Sequence, residues 1–520
     1  MTGDGALDDL LSASFGFPDD AVILGRPLLP SLDSTLNDHY VQAPLAMLNR
    51  HGLVAGATGT GKTKSLQVFA EQLSRAGVPV FLADLKGDLT GLAVESPGHS
   101  KIDERMGGME LPWQPESFPV ELLSLTGDNG TPLRAPLSSF GPLLLAKVMD
   151  ATAVQESVLQ VIFRYADEAG LALLDLEDLV AMLRHLTSEA GEAVQDEYGG
   201  MSTQTLNVLL RKAMQLESEG AETFFGEPEF EIGDLLRTQD GRGVVTVMNL
   251  TDVQTKPRIF STFMMWLLAE LYETLDEVGD RDQPRLVFFF DEAHLLFDGA
   301  SKALLEAVQL TVRMIRSKGV GVFFVTQRPD DVPADVLSQL ANRVQHALRA
   351  HTPQDQKALT LTARTFPTSD HYDIEETLTS LGTGEALVTV LDPDGAPSPS
   401  APTRMVAPVS LMDPVGPEVV RRLVAASDLH AKYATELDRE SAAELLAERA
   451  ERRAAAAAEA ERAEAEEAAV SRRREEAESR TRGGYRRDSA IDRAVKNAAS
   501  AVGREVGRQL IRGLLGTLKR

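Results

Sequence analysis

Gly56-Ala57-Thr58-Gly59-Thr60-Gly61-Lys62-Thr63 is the stretch whose reading decides the fold. It fits G-x-x-x-x-G-K-[ST], the P-loop pattern, and it follows the short apolar run Gly52-Leu53-Val54-Ala55. A buried strand should enter the loop and a helix should leave it. Lys64 to Ala76 supplies the helix, with Leu66, Phe69, Ala70 and Leu73 at i, i+3, i+4 and i+7. The residue types suit phosphate chemistry. Glycines let backbone N–H groups turn inward where a Cβ would obstruct them. A helix N-terminus adds partial positive charge. Lys62 is placed to reach the β- and γ-phosphates, and the Thr63 hydroxyl to meet Mg²⁺. The nucleotide-binding set is therefore Gly56, Ala57, Thr58, Gly59, Thr60, Gly61, Lys62, Thr63 and Lys64.

Outward from the loop, Val78 to Leu85 is nearly all apolar, as expected of a strand buried on both faces. The β-α-β order predicts a parallel α/β sheet. Residues 46–95 form this P-loop half. Residues 96–240 read as a mainly α-helical insertion, with helical periods over Ser138–Val148, Val154–Ala169, Leu176–Leu186 and Thr203–Leu216. Residues 241–410 return to strands at Gly243–Leu250, Arg285–Asp291, Val320–Thr326, Arg343–Ala350 and Gly384–Leu391. Helices are expected between them at Ser261–Leu275 and Lys302–Ile315. Residues 1–45 read as an acidic arm and a short approach, with a loop at Arg26–Pro30.

Pro393–Pro414 reads as a linker, and residues 411–482 as linker plus an Ala/Glu/Arg-rich helix. From Glu436 to Arg482 strong helix formers dominate, enough for roughly 70 Å of helix. Leucine heptads do not persist, so a single charge-laced helix is expected in preference to a coiled coil. Residues 483–520 invert the charge and form a basic tail. Val502, Val506, Leu510, Leu514 and Leu518 recur every four residues beside arginines, a pattern suited to docking on another subunit or a protein partner.

Composition narrows the class. The 520 residues exceed a single core, and the absence of cysteine excludes disulfides and thiolate metal sites. The nine histidines show no metal-ligand spacing. No apolar run reaches the roughly 18 residues of a membrane span, and the acidic start is no signal peptide, so a cytoplasmic protein is expected. The net charge of −26 argues against a surface that binds nucleic acid all over, though not against a local basic lining.

A P-loop needs a distant carboxylate for its metal. Leu286-Val287-Phe288-Phe289-Phe290-Asp291-Glu292 is an apolar strand ending in two acids, where open α/β sheets bind ligands. Asp291 is expected to hold Mg²⁺, directly or through water, and Glu292 to polarise an attacking water. The strand that ends Val325-Thr326-Gln327 offers Gln327 as a γ-phosphate or water sensor. Asp84 either supports the metal or the water indirectly or simply begins its loop. Arg313 and Arg316 either complement a helix C-terminus or reach a neighbouring subunit's nucleotide.

These segments together resemble the HerA/FtsK group of P-loop ATPases, specifically a HerA-like bacterial branch. The resemblance rests on Gly56–Thr63, Ala83-Asp84-Leu85-Lys86-Gly87-Asp88, Phe290-Asp291-Glu292-Ala293-His294, Arg316-Ser317-Lys318-Gly319-Val320-Gly321, Thr326-Gln327-Arg328-Pro329 and Asp335-Val336-Leu337-Ser338-Gln339-Leu340. It covers about residues 45–410. The letters D-E-A-H alone do not make the chain a DEAH-box helicase. The resemblance implies a RecA-like core, ATP and Mg²⁺ as cofactors, and a homo-oligomeric, usually hexameric, ring that moves along DNA. It also implies that Arg316 acts in trans. Members carry an N-terminal β-barrel, for which the roughly 50 residues before the P-loop leave no room. The leading expectation is an ATP-hydrolysing ring motor acting on DNA. The alternatives are an ATPase switch acting on protein partners and a nucleotide-dependent scaffold.

Overall fold

The strand that carries the acidic pair shows how the sheet is built. Leu286, Phe288 and Phe290 join one hydrophobic core, and Val287 and Phe289 join another on the opposite face. Every residue of this strand is buried. Phe288 lies 4.8 Å from Phe81 between ring centroids, and Phe289 lies 5.0 Å from Phe323. Each such ring contributes about 1.5–3 kcal/mol by leaving water. A run of phenylalanines is therefore sustainable here only because helices cover both faces.

The computed structural model describes all residues except 1–3, 18–19, 200, 255, 280, 298–301 and 482–520. The basic tail expected over 483–520 lies outside the described residues. The strands are β1 (Ala21–Pro27), β2 (Val41–Pro44), β3 (Gly52–Ala55), β4 (Val80–Asp84), β5 (Val120–Ser124), β6 (Thr131–Pro132), β7 (Thr238–Gln239), β8 (Arg242–Gly243), β9 (Val245–Asn249), β10 (Leu286–Phe290), β11 (Val320–Thr326), β12 (Asn342–His346), β13 (Glu385–Thr389) and β14 (Ala401–Met405). β7 and β8 form a separate hairpin. The other twelve make one sheet in the order β2-β1-β14-β13-β12-β3-β11-β10-β4-β9-β5-β6. From β12 to β6 all neighbours are parallel, and β13, β14, β1 and β2 continue the sheet antiparallel. β3 and β10 are separated by β11 alone, so the P-loop and the acidic pair leave the same edge one strand apart. This is the α/β, RecA-like P-loop arrangement with added helices.

Helices Leu137–Val148, Ala153–Glu168, Leu176–Thr187 and Thr203–Ser218 fall close to their expected bounds. Capping boxes at Thr152 and Asp175 and a Ser202 cap fix three of their starts. They share one continuous core with helices Pro257–Thr274 and Lys302–Ile315 and with the Phe81, Phe288 and Phe324 face of the sheet. The range expected to be helical also supplies β5 and β6. β5 is too short to show a period, and its partner residues in β9 lie 125 positions later in the chain, as Val120 opposite Val245 shows.

Three segments depart from expectation. The acidic start forms helix Asp4–Phe15, because Leu7, Leu11 and Phe15 make a stripe that is buried. The approach and loop after it are β1 and β2, with Val22 and Leu24 inward and β1 paired to β14. The expected linker after Pro393 contains β14, a sheet strand between β13 and β1. The stretch beyond β14 is fastened to the P-loop helix. Glu71, itself buried, accepts from the Val409 and Ser410 backbone N–H groups, and Gln67 donates to Ser410 and Leu411. Its prolines disguised this segment, which is held by these polar contacts and by Val409 and Ala407 in the hydrophobic cores.

The chain divides into two compact units, Met1–Leu446 and Ala447–Arg520. Helix Ala442–Thr481 is a single helix of 40 residues, and every side chain from 451 to 477 is exposed. Among the described residues no helix is long and apolar enough to cross a membrane.

Candidate functional site

The P-loop sits where β3 ends and helix Lys62–Arg75 begins. Gly56 has φ 152° and Gly61 has φ 120°, both in the range that favours glycine. A Cβ on Gly56 would lie 2.5 Å from the His346 Cβ, so the close approach also demands glycine. The loop is tied to its neighbours by backbone: Ala57 N–H donates to the Ala347 carbonyl at 3.0 Å, and Gly384 N–H donates to the Thr60 carbonyl at 2.8 Å. Thr58 and Gly59 form its exposed tip.

His346 lies beneath the loop and is fully buried. Its Nδ1 is 2.9 Å from the Glu385 carbonyl, which can only accept, so Nδ1 carries the proton. Nε2 then accepts from the Ser65 hydroxyl at 2.9 Å. Burial pushes the imidazole down to about 4, so it is neutral at ordinary pH. One ring thus pins β12, β13 and the P-loop helix together.

The Lys62 ammonium is folded back. It donates to the Gly56 carbonyl at 2.7 Å and the Ala57 carbonyl at 3.2 Å. Burial lowers its pKa, opposed by the charges of Glu292 and Asp291. Thr63 and Lys64 are half-buried, and Lys64 Nζ donates to the Met412 carbonyl.

Asp291 and Glu292 follow β10 and are 1% and 7% exposed. Glu292 takes φ +48°, a left-handed conformation costing on the order of 1 kcal/mol outside glycine. Burial pushes Asp291 up to about 7, against the pull of Lys86. Burial also raises Glu292, but contact with Lys86 outweighs it and holds Glu292 below the usual carboxylate range. The two adjacent acids are therefore driven apart. Asp291 Oδ2 and Glu292 Oε2 are buried and make no hydrogen bond, with Lys86 Nζ 3.9 Å from the first and His294 Nδ1 3.3 Å from the second. Such oxygens, with the Thr63 hydroxyl, fit a hard cation. Among the described residues no group of three or more His, Asp or Glu is arranged to hold a metal by itself. Phosphate oxygens and water would complete its shell.

Asp84 is buried and committed to its own loop. Oδ1 accepts from the N–H of Lys86, Gly87 and Asp88, and Oδ2 from Leu89, over 2.7–3.3 Å. The turn it shapes presents Lys86 to Glu292 and, at 3.9 Å, to Asp291. Gln327 is exposed just beyond β11, while the preceding Thr326 hydroxyl is held by Asp331 at 2.7 Å. Arg313 and Arg316 are exposed and precede the entry of β11. β3 and β11 run parallel with Ala55 opposite Thr326, so the P-loop leaves from the far end of these strands. Seven residues of strand separate the two ends, roughly 20 Å. The structure therefore groups Lys62, Thr63, Asp291 and Glu292 at one edge and sets both arginines at the other.

A cavity of about 710 Å³ adjoins the loop on the side of Gly61, Lys64 and Ser65. Arg105, Met405 and Met412 also line it. Arg105 donates to the Thr383, Gly384 and Met405 carbonyls at 2.8–3.1 Å and so joins helix Ser100–Gly108 to the sheet. Sequence reasoning missed Arg105 and His346, since neither sits in a motif and their partners are distant in the chain. Lys86 lay inside a quoted stretch, but its acidic partners were visible only in space.

The family profile described as "Helicase HerA-like C-terminal" matches residues 31–520. The chain is 21% identical over 402 residues to the DNA double-strand break repair helicase HerA of Sulfolobus acidocaldarius, covering 73% of each chain. It is 23% identical over 362 residues to the protein so named from Sulfurisphaera tokodaii, covering 68% of this chain and 64% of that one. Among solved structures, the plasmid coupling protein TrwB in complex with a non-hydrolysable ATP analogue aligns at TM-score 0.50 and 16% identity. That alignment covers 78% of this chain and 98% of TrwB, a likeness of fold.

Proposed function

Because the chain belongs to the helicase HerA-like C-terminal family, we propose that it is a Mg²⁺-dependent ATPase that works as a homo-oligomeric ring, hexameric by the resemblance, and moves along or remodels DNA. The observation that carries this reading is the P-loop beside two buried carboxylates, Asp291 and Glu292, at one edge of a parallel sheet. Backbone N–H groups of Gly59 to Thr63 and the Lys62 ammonium would receive the phosphates. Lys62 needs only to exchange two carbonyl partners for phosphate oxygens. Thr63 and Asp291 would hold Mg²⁺, which neutralises phosphate charge when bound. Glu292, ionised, is the group that takes a proton from water. The nucleoside would lie in the cavity beyond Lys64 and Ser65, within the size range of ligand pockets. Gln327 would sense the γ-phosphate side.

Arg316, with Arg313 beside it, would serve the nucleotide of an adjoining copy. Their position at the opposite strand ends supports this, because they face away from their own P-loop edge. A second reading, an ATPase acting on protein, draws support from the net charge of −26.

The test is ATP turnover with and without single- and double-stranded DNA, alongside the mass of the assembly. We expect Mg²⁺-dependent turnover in a ring, stimulated several-fold by DNA and abolished by Lys62→Ala. Turnover indifferent to DNA of either kind would favour the protein-directed reading. Equal turnover in Lys62→Ala would remove the site assignment.

A further inference from the structure

The two carboxylates after β10 are not left as a bare acidic pair. Lys86 Nζ contacts Glu292 Oε1 and stands 3.9 Å from Asp291 Oδ2. Two adjacent buried acids repel each other and require a cation nearby. Lys62, the other ammonium in the site, is turned onto the Gly56 and Ala57 carbonyls. The loop that carries Lys86 is held by the four backbone contacts of Asp84 and by Gly87 at φ +75°. Its base is thus fixed, while its side chain is 41% exposed and has solvent to move into.

We propose that Lys86 is a resting counter-ion for Asp291 and Glu292 that metal-bound nucleotide displaces, so that the carboxylates become available only when the metal arrives with its nucleotide. This rests on the nucleotide-site reading above. A lysine near Asp291 competes with a divalent cation for the same charge. It also occupies Oε1 of Glu292, while Oε2 stands 3.3 Å from His294 Nδ1. Release of Lys86 frees both acids in one motion of a side chain that needs no backbone change. Lys86 touches neither loop carbonyls nor the P-loop in the hydrogen bonds that define the resting site, so its withdrawal leaves the cradle intact.

The experiment measures Mn²⁺ affinity of the ADP-bound protein by electron paramagnetic resonance, in the full chain. Lys86→Met is expected to bind Mn²⁺ about tenfold more tightly than wild type, because nothing must be displaced. Lys86→Arg is expected to behave as wild type. Equal or weaker Mn²⁺ binding in Lys86→Met, with metal-free ADP affinity unchanged, would overturn the proposal. A second measurement needs no variant. Amine-reactive labelling of Lys86, read by mass spectrometry, should rise when ADP and Mg²⁺ are both present over ADP with chelator. Unchanged or reduced labelling would equally overturn it. In both arms, absence of any ADP binding would count against the nucleotide site itself, which separates the two failures.

Discussion

Asp291 and Glu292 are chain neighbours of the same chemical kind, yet they reach opposite protonation tendencies. Burial dominates at Asp291, and Lys86 dominates at Glu292. An ionised Glu292 is equipped to accept a proton from water, and Lys62 and His294 also favour its charge when Lys86 withdraws. Replacing it with glutamine keeps the shape and removes the base. Glu292→Gln should therefore bind ATP within a few-fold of wild type and lose at least about a hundredfold in turnover. Retained labelled ATP, chromatographed for product, reads both; turnover near the wild-type rate would assign the base elsewhere. The sequence made this pair legible, since an apolar run ending in two acids has few other uses. It could not show Lys86 as their partner, because 205 residues of chain separate it from Asp291 and only the β4–β10 pairing brings them together.

At the scale of elements, long runs were the readable part. β11 was expected over Val320–Thr326 and occupies those residues, and helix Lys302–Ile315 likewise. Both carry an apolar pattern strong enough to outweigh context. β1, β2, β5 and β14 were not legible. They are short, and they become strands by pairing with distant partners: β1 with β14, and β5 with β9. The region after β14 is fastened by Glu71 and Gln67 on the P-loop helix and by Val409 and Ala407 in the cores.

The junction of β12, β13 and that helix gives a pH prediction. His346 is buried neutral, with its pKa pushed from 6.5 to about 4, and His51 likewise. The folded pKa is depressed, so the unfolded chain binds the proton first as pH falls. Stability is then full above about 6.5 and declines as pH drops toward 4. The contribution of His346 is on the order of 3 kcal/mol across that window. Relative to wild type, His346→Gln should remove about 3 kcal/mol of pH dependence from the nucleotide-free unfolding free energy between pH 6.5 and 4, where His51 titrates in the same sense and the raised carboxylates of Asp291 and Asp84 in the opposite one. Denaturant titrations at several pH values measure it, and an unaltered slope would show that His346 is not the titrating group.

For the whole molecule, one compact unit joins the α/β sheet and the helices of its insertion. The parallel sheet sets a polarity. Phosphate-facing groups cluster where the strands end, and Arg313 and Arg316 stand where β11 starts. Within one copy these ends lie apart, and the arginine role proposed above requires a second copy to complete the ATPase site. The chain order alone left the arginines with two roles, and topology supplies the reason to favour one. Arg316→Ala should lose most turnover while keeping nucleotide affinity, and Lys62→Ala should lose turnover through its own P-loop. The most direct measurement mixes the two inactive proteins and follows Mg²⁺-dependent ATP hydrolysis after verified subunit exchange. Partial recovery is expected, because some interfaces then join an intact P-loop to an intact arginine. No recovery at any mixing ratio would contradict it.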